Sequence, residues 1–292
     1  MTFPRLRAFV EVADSGSVRE AARRLVVTES AVSAAVAALS RDVGVALVER
    51  DGRGLRLTPS GRVYARYARQ MLGLLDRAGA AARGELDPER GEVAVGAVTT
   101  AADHLLPDLL ASFRTAHPGI QIRLSVGASD HVWTLLRDHA VDLTIAGRPP
   151  AGLDARVRAA LPNELVVVEA GGTGAQADLA GRTWLLREPG SGTRSTCESL
   201  LAGLEIDPPR LVLGSNGAVV AGAVAGLGLT LVSRAAVERE LAEGRLAVVP
   251  VPGTPLRRPW HAASVEHASG PTLLLVDHLL QRGWRRPRTR SS

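Results

Sequence analysis

The sequence predicts a chain in three parts: a small all-α head carrying a β wing, a long linking helix, and a larger α/β body. Three observations carry this. Residues 17–41 read as two short amphipathic helices joined by a tight corner, and a Gly-rich, Arg-rich turn follows. From Tyr64 to Ala81, apolar residues recur at three- and four-residue steps, as on one face of a long helix. From Val93 onward, β-branched runs alternate with helical patterns, the signature of a parallel α/β sheet.

In the head, Leu6, Phe9, Val10 and Ala13 give a first amphipathic helix, ended by Asp14-Ser15-Gly16. Ser17 is an N-cap with Glu20 three residues on, a capping box, and Ala21, Ala22 and Leu25 form the apolar face behind it. Thr28 caps a second helix whose buried side is Ala31, Val32, Ala35, Val36 and Leu39. The small Ala21 and Ala22 let the two helices cross closely. This is the shape of a helix-turn-helix, which lays its second helix in the DNA major groove. An α-hairpin in any helical core has the same spacing, so this stretch alone leaves both readings open. The flanks separate them. Gly44 breaks the chain, and residues 45–57 (VALVERDGRGLRL) read as a strand pair around Asp51-Gly52-Arg53-Gly54. That wing would hold Arg50, Arg53 and Arg56 near a duplex backbone, which selects DNA binding.

Thr58 caps the long helix, with Pro59 in its first turn. A seam through Tyr64, Tyr67, Met71, Leu74 and Ala78 resembles a coiled coil. It could pack on its own domain. Because it runs well past the small head, a dimer contact is the expectation. Residues 83–90 (RGELDPER) read as a hinge, so the expected parts are 1–58, 59–90 and 91–292.

In the body, strands at Val93–Val98, Ile120–Val126 and Val141–Ile145 are separated by helical stretches. In such sheets ligands bind beyond the carboxyl ends of the strands, here Thr99-Thr100, Ala128-Ser129 and Gly147-Arg148. After Leu161-Pro162 a second unit begins. Its strand Thr183–Arg187 runs into Glu188-Pro189-Gly190-Ser191-Gly192-Thr193-Arg194 and a helix from Ser195. This turn offers backbone N–H groups and two hydroxyls to an anion, with Arg194 adding charge. A plain strand-to-helix turn is the other reading. It lacks the Gly-Lys-Ser/Thr ending of a nucleotide-binding loop, so phosphoryl transfer is not expected. Further strands follow at Val212–Ser215, Leu229–Val232, Ala247–Val251 and Trp260–Val265. A helix at Ala218–Ala225, a last helix over 272–282 and an Arg-rich tail complete the chain.

Residues 3–62, through FVEVADSGSVREAARRL and TESAVSAAVAALSRDVGVALVERDGRGLRLTPSG, resemble the winged helix-turn-helix of LysR-type transcriptional regulators. GAVTTAADHLLP, VDLTIAGRPP, LLREPGSGTR, SNGAVVAGAVAGLGLTLVS and ELAEGRLAVVPV extend the resemblance to the effector domain of that family. GRPP and REPGSGTR are most similar to its carbon-fixation (Calvin-cycle) and sulfur-metabolism regulators. The resemblance implies a dimerising linker helix and an effector domain of type 2 periplasmic-binding-protein fold. It implies homodimers or homotetramers, and a small anionic effector with no other cofactor. The effector cleft it implies is lined by Thr99, Thr100, Ala128, Ser129, Gly147, Ser191, Gly192, Thr193, Arg194 and Asn216. In such folds the chain crosses twice between subdomains. The expected crossings, near 160–162 and 262–266, give subdomain one as 91–160 plus 267–292 and subdomain two as 161–266.

Departures narrow these expectations. The family commonly has Gln near position 29 and polar or basic residues at 34 and 35, where this chain has Glu29, Ala34 and Ala35. Base contact then falls to Thr28, Glu29, Ser30 and Ser33, with Ser17 at the entry to the hairpin. Val98, Ala128 and Gly217 stand where polar side chains are common, so the cleft is less polar than its relatives'.

Composition agrees. All 35 basic residues are Arg, and the net +5 is uneven. Residues 1–90 carry 15 Arg against 11 acids, residues 91–280 carry 15 against 19, and the last twelve carry five Arg and no acid. A basic head on an acidic body fits a nucleic-acid module attached to something else. Cys197 is the only cysteine, which excludes an intramolecular disulfide. No signal-peptide core opens the chain, and no apolar run reaches the ~18–20 residues that span a bilayer. A cytoplasmic protein, free of membranes, is expected. The seven histidines show no metal-ligand spacing, and Ser191 and Ser195 lack the Gly-x-Ser-x-Gly setting of a nucleophile. No metal site and no catalytic residues are therefore expected. The alternatives are a solute receptor or enzyme of the same α/β fold, with the N-terminal helices used only for assembly, or an architectural DNA-binding protein that needs no ligand.

Overall fold

A computed structural model describes residues 2–51, 54–84, 87–172 and 178–287. They form two compact units, residues 1–82 with 137–140, and residues 83–136 with 141–292.

The first unit begins with three helices, α1 (Phe3–Ser15), α2 (Val18–Leu25) and α3 (Glu29–Val43). Strands β1 (Val48–Asp51) and β2 (Gly54–Leu57) pair antiparallel, and α4 spans Pro59–Gly84. Ser17 Oγ accepts the Glu20 N–H at 3.3 Å, and Thr28 Oγ1 accepts the Ala31 N–H at 3.2 Å. Only half of the expected capping box is made. The Glu20 carboxylate turns instead to Arg23 and Arg24, and the Ser17 N–H donates to Ser15 Oγ. Gly44 ends α3 at φ +83°, a left-handed position that suits glycine. The turn between α2 and α3 is less relaxed, because Val26, β-branched and 89% exposed, sits at φ +56°.

Leu6, Phe9, Ala21, Ala22, Val32, Val36 and Leu39 make the core of the head. Ala31, expected on the buried side of α3, is exposed, because it lies a quarter-turn round from the Val32–Val36–Leu39 stripe. Ala65, Ala68 and Leu72 of α4 join this core, so the packed head extends beyond residue 58. Tyr64 therefore leaves the expected dimer seam. It packs edge-on against Phe9 with ring centroids 5.7 Å apart. The exposed stripe of α4 is Val63, Tyr67, Met71, Leu74 and Ala78.

The second unit holds two sheets. Strands β3 (Gly91–Val98), β4 (Ile120–Gly127), β5 (Leu143–Ala146), β6 (Arg156–Leu161) and β13 (Trp260–Ser264) form the first, in the order β4-β3-β5-β13-β6. β3 runs parallel to β4 and β5, and β13 runs antiparallel to β5 and β6. Val93, Val95 and Ala97 face one core with helix α6 (Leu106–Ala116) and the C-terminal helix α11 (Gly270–Gln281). Ala94 faces the other, under α7 (Ser129–Arg137) with Trp133 and Leu136. A short α5 (Thr99–His104) precedes α6. The helical stretch between β3 and β4 is broken at Leu105, where Pro107 denies the ladder an N–H.

In the second sheet, β7 (Glu164–Ala170) is flanked antiparallel by β10 (Thr230–Ser233) and β11 (Leu246–Val249), and β12 (Leu256–Arg257) also pairs with β7. A parallel pair, β8 (Trp184–Leu186) and β9 (Arg210–Val212), is bridged to Leu229 through Trp184. Helices α8 (Gly192–Gly203), α9 (Asn216–Val224) and α10 (Glu238–Ala242) accompany it. The expected division of the body needs one correction. Residues 260–264, placed in subdomain two from the sequence, pair with β5 and β6 of the first sheet, with His261 opposite Ala146. The second crossing thus lies between β12 and β13, near residues 258–259. Ile145 and Ala146 are buried, and β13 supplies the partners their backbone groups require. Among the described residues, no helix is long and apolar enough to cross a membrane.

Candidate functional site

Two surfaces collect the residues singled out in the sequence. On the head, Thr28, Glu29, Ser30, Ser33 and Ala34 are all exposed on the N-terminal part of α3. The Thr28 hydroxyl is committed to its cap and lies 3.0 Å from Ser30 Oγ. Ser17 is half-buried and spent on capping α2. On the wing, Arg50 pairs across the ladder with Leu55 and Arg56 with Glu49. Cross-strand partners share a face, so Arg50 and Arg56 project from opposite faces of the hairpin. Arg56 also holds an ion pair with Glu49 at 3.1 Å, whereas Arg50 has no carboxylate partner among the described residues. Arg53 lies outside the described residues. Elsewhere on the head, five arginines are tied by acids: Arg23 and Arg24 by Glu20, Arg5 by Asp42, Arg7 by Asp76 and Arg69 by Asp14. Hydrogen bonds from Arg23 and Arg24 hold the Glu20 carboxyl down to about 2.

In the body, a narrow cleft is lined by Val98, Thr99, Thr100, Gly127, Ala128, Ser129, Gly147, Arg187, Ser191, Gly192, Thr193, Arg258 and Trp260. Thr99, Thr100, Ala128, Ser129 and Gly147 come from the carboxyl ends of β3, β4 and β5. Ser191, Gly192 and Thr193 come from the start of α8, which begins three residues before the expected Ser195. Ser191, almost fully buried, caps that helix by accepting the Arg194 N–H. The Asp130 N–H donates to Gly190 O at 3.4 Å, so the two sheets' loops touch at one edge of the cleft. The remaining free volume is about 20 Å³, room for one ordered water.

Two residues expected in the cleft face elsewhere. Arg194 turns to Glu198 at 2.8 Å and to the Arg187 carbonyl at 3.2 Å, because an i,i+4 acid on its own helix is the nearer partner. Asn216 is buried beneath Arg187, accepting from its Nη1 at 3.3 Å. It positions Arg187 instead of lining the cleft.

The sequence reading missed two arginines that do line it. Arg187 is 5% exposed and is held in a bidentate fork by Glu188 at 2.7 and 2.8 Å. Burial alone would raise the Glu188 carboxyl, and the fork from Arg187 outweighs it and brings the carboxyl below its usual range. Arg187 directly follows β8 at the LLREPG turn, so its position at a strand's carboxyl end was a signal in the sequence. Arg258 gave no such signal. It follows β12 in an irregular stretch, and only the fold brings it to Gly147 and Gly192. Its guanidinium has no carboxylate partner among the described residues, and burial lowers its pKa. Cys197 is buried in the core beneath β10, and burial pushes its thiol up to about 12, which makes it unreactive at neutral pH. Among the described residues, no group of three or more His, Cys, Asp or Glu is placed to hold a metal ion.

An exposed reader helix with a wing, joined in one chain to a two-sheet body with a polar cleft, is matched by two family models. One, the bacterial regulatory helix-turn-helix protein of the lysR family, matches residues 3–62, and the other, the LysR substrate binding domain, matches residues 86–284. The chain belongs to the LysR family. It is a DNA-binding transcription regulator, in a family of regulators and not of enzymes. Within the LysR family its relatives place it with the carbon-fixation regulators. The HTH-type transcriptional regulator CfxR of Cupriavidus necator is 37% identical over 272 residues, covering 90% of this chain and 85% of CfxR. A RuBisCO operon transcriptional regulator of Acidithiobacillus ferrooxidans is 32% identical, covering 89% of this chain and 87% of that one. Among solved structures, the Synechocystis CcmR regulatory domain in complex with 2-PG is 25% identical, with a TM-score of 0.62. It covers 66% of this chain and 98% of its own.

Proposed function

We propose that this LysR-family regulator binds a small anionic metabolite in the cleft of its body and changes its grip on operator DNA in response. One observation carries this: Thr99, Thr100, Ser129, Ser191 and Thr193, from both sheets, line a cleft that also takes in two arginines. The CcmR domain holding 2-PG, an anionic metabolite, supports the same ligand class. A change in the opening between the two subdomains as they take in the anion would shift the spacing of paired reader heads and the bend they impose. The head reads bases through Glu29, Ser30 and Ser33, with Thr28 and Ser17 setting the helix ends. Arg50 and Arg56 serve the backbone more than the sequence. The exposed stripe Val63, Tyr67, Met71, Leu74 and Ala78 is the face through which two copies pair, as a homodimer or within a homotetramer. Such a regulator works in the cytoplasm, alongside the DNA.

The test is operator binding by fluorescence anisotropy with and without 2-PG. The expected outcome is a shift in affinity of several-fold, lost in Ser33→Ala and Arg50→Ala only through weaker DNA binding overall. Equal affinity of an isolated half-site and a paired site would count against the dimeric reader. A second reading, an architectural protein that needs no ligand, draws on the cleft's small free volume of about 20 Å³. Unchanged melting temperature across a panel of anionic metabolites would favour it.

A further inference from the structure

The cleft contains two arginines in opposite electrostatic situations. Arg187 is neutralised by the Glu188 fork. Arg258 faces the same cleft with no carboxylate partner among the described residues. Its guanidinium lies against glycines from both subdomains. A Cβ on Gly147, at the end of β5, would stand 2.9 Å from Nη2, and a Cβ on Gly192, the first residue of α8, would collide with the same atom. Both glycines leave open the space the guanidinium occupies, and a Cβ at either would make it shift. The location is unfavourable for a cation on its own. The start of the twelve-residue α8 carries the positive end of its dipole, and the group is largely withdrawn from water. A buried guanidinium remains charged at neutral pH, so the site lacks a negative charge.

The backbone of Arg258 is equally specific. It sits at the second crossing between subdomains, and its N–H donates to Asn163 O, at the first crossing, at 2.9 Å. Asn163 Nδ2 donates back to Arg258 O at 3.0 Å, and Ser233 Oγ donates to Asn163 Oδ1 at 2.6 Å. The two crossing strands are thus laced together at the residue whose side chain enters the cleft.

We infer that Arg258 seats the oxyanion group of the effector, a phosphate or a carboxylate, and ties its charge to the hinge between the subdomains. This rests on the reading of the cleft as an anionic effector site. It gives that site a cation no local sequence pattern marks, and assigns Gly147 and Gly192 the role of making room for it. An oxyanion accepting the fork's N–H groups would complete the charge balance, and any shift of the guanidinium toward it would be passed to the laced crossing strands.

The experiment is thermal unfolding of the full chain, titrated with inorganic phosphate or with acetate against chloride at constant ionic strength. The chains compared are wild type, Arg258→Gln and Gly192→Ala. The wild-type Tm is expected to rise and saturate, and the anion with the lower half-saturation names the preferred group. Arg258→Gln should need at least ~10-fold more anion for the same shift, with an anion-free Tm no lower than wild type, because the charge removed was uncompensated. Gly192→Ala keeps the arginine but takes its seat, and should lose the response as well. Equal half-saturation in wild type and Arg258→Gln would overturn the role of Arg258 while leaving the anionic cleft standing. An anion-free Tm of Arg258→Gln below wild type would make the guanidinium a structural strut and overturn it too. No response to either anion in wild type would remove the anionic-cleft reading, and this inference with it.

Discussion

The head and the cleft both rely on arginine, but in opposite settings. On the head the guanidinia are exposed, and most have an acid within reach, as Arg23 and Arg24 have Glu20. Water and salt screen such pairs, so each adds little to stability and the residues stay available to an incoming phosphate backbone. In the cleft Arg187 and Arg258 are drawn away from water, and there a missing partner matters. Solvent, more than residue type, decides which arginines are structural and which await a ligand.

The largest test of this contrast removes neither charge. Leu39→Ala empties a fully buried position on the inner side of α3 and should cost the head about 3 kcal/mol. In calorimetry the head should melt earlier and operator binding should fail, while the body's anion response persists. If the body's transition falls equally, the two compact units do not unfold separately. Next, Glu188→Gln strips the charged half of the fork from the buried Arg187 and should lower body stability by about 2 kcal/mol by urea unfolding. A change near zero would mean that Arg187, like the head arginines, is effectively solvated. Val26→Gly relieves a β-branched residue from a left-handed turn and should raise head stability by about 1 kcal/mol. A loss would place the stress of the reader elsewhere than in the turn between its helices.

The smallest effect concerns Glu20. Its carboxyl is depressed in the folded chain, from 4.5 to about 2, by hydrogen bonds from Arg23 and Arg24. The stability this confers is present above about pH 4.5 and lost as pH falls toward 2. Because the group is exposed, Glu20→Gln should be only slightly less stable than wild type at pH 7, converge with it as pH falls toward 2, and lose even that difference in high salt. A salt-independent difference would break the distinction between screened head and buried cleft.

Much of the head could be read from the chain because its determinants are local. The caps at Ser17 and Thr28, the αL glycine at Gly44 and the apolar stripe of α3 each act within a few residues. The reading faltered where a residue had a competing partner, whether on its own helix or distant in sequence. Glu20 abandoned its capping partner for arginines further along the helix, and Tyr64 left the free face of α4 for Phe9, 55 positions away. In the body, the strand ends carrying Thr99, Ser129 and Ser191 were legible from alternation and turn residues. Asn216 and Arg194 were misplaced because stronger polar partners lay beside them.

The sequence by itself determined the order of the parts, the reader helix with its caps, the long helix and the strand ends at which a ligand can bind. Those follow from periodicity, capping and turn chemistry, which act over a few residues. The tertiary structure decided that β13 joins the first sheet, that Ala65, Ala68 and Leu72 of α4 seal the head, and that Arg258 comes to rest between Gly147 and Gly192. Strand partnership and burial are settled by packing between segments far apart in the chain. An arginine in an irregular stretch acquires its chemistry only from what the fold brings around it.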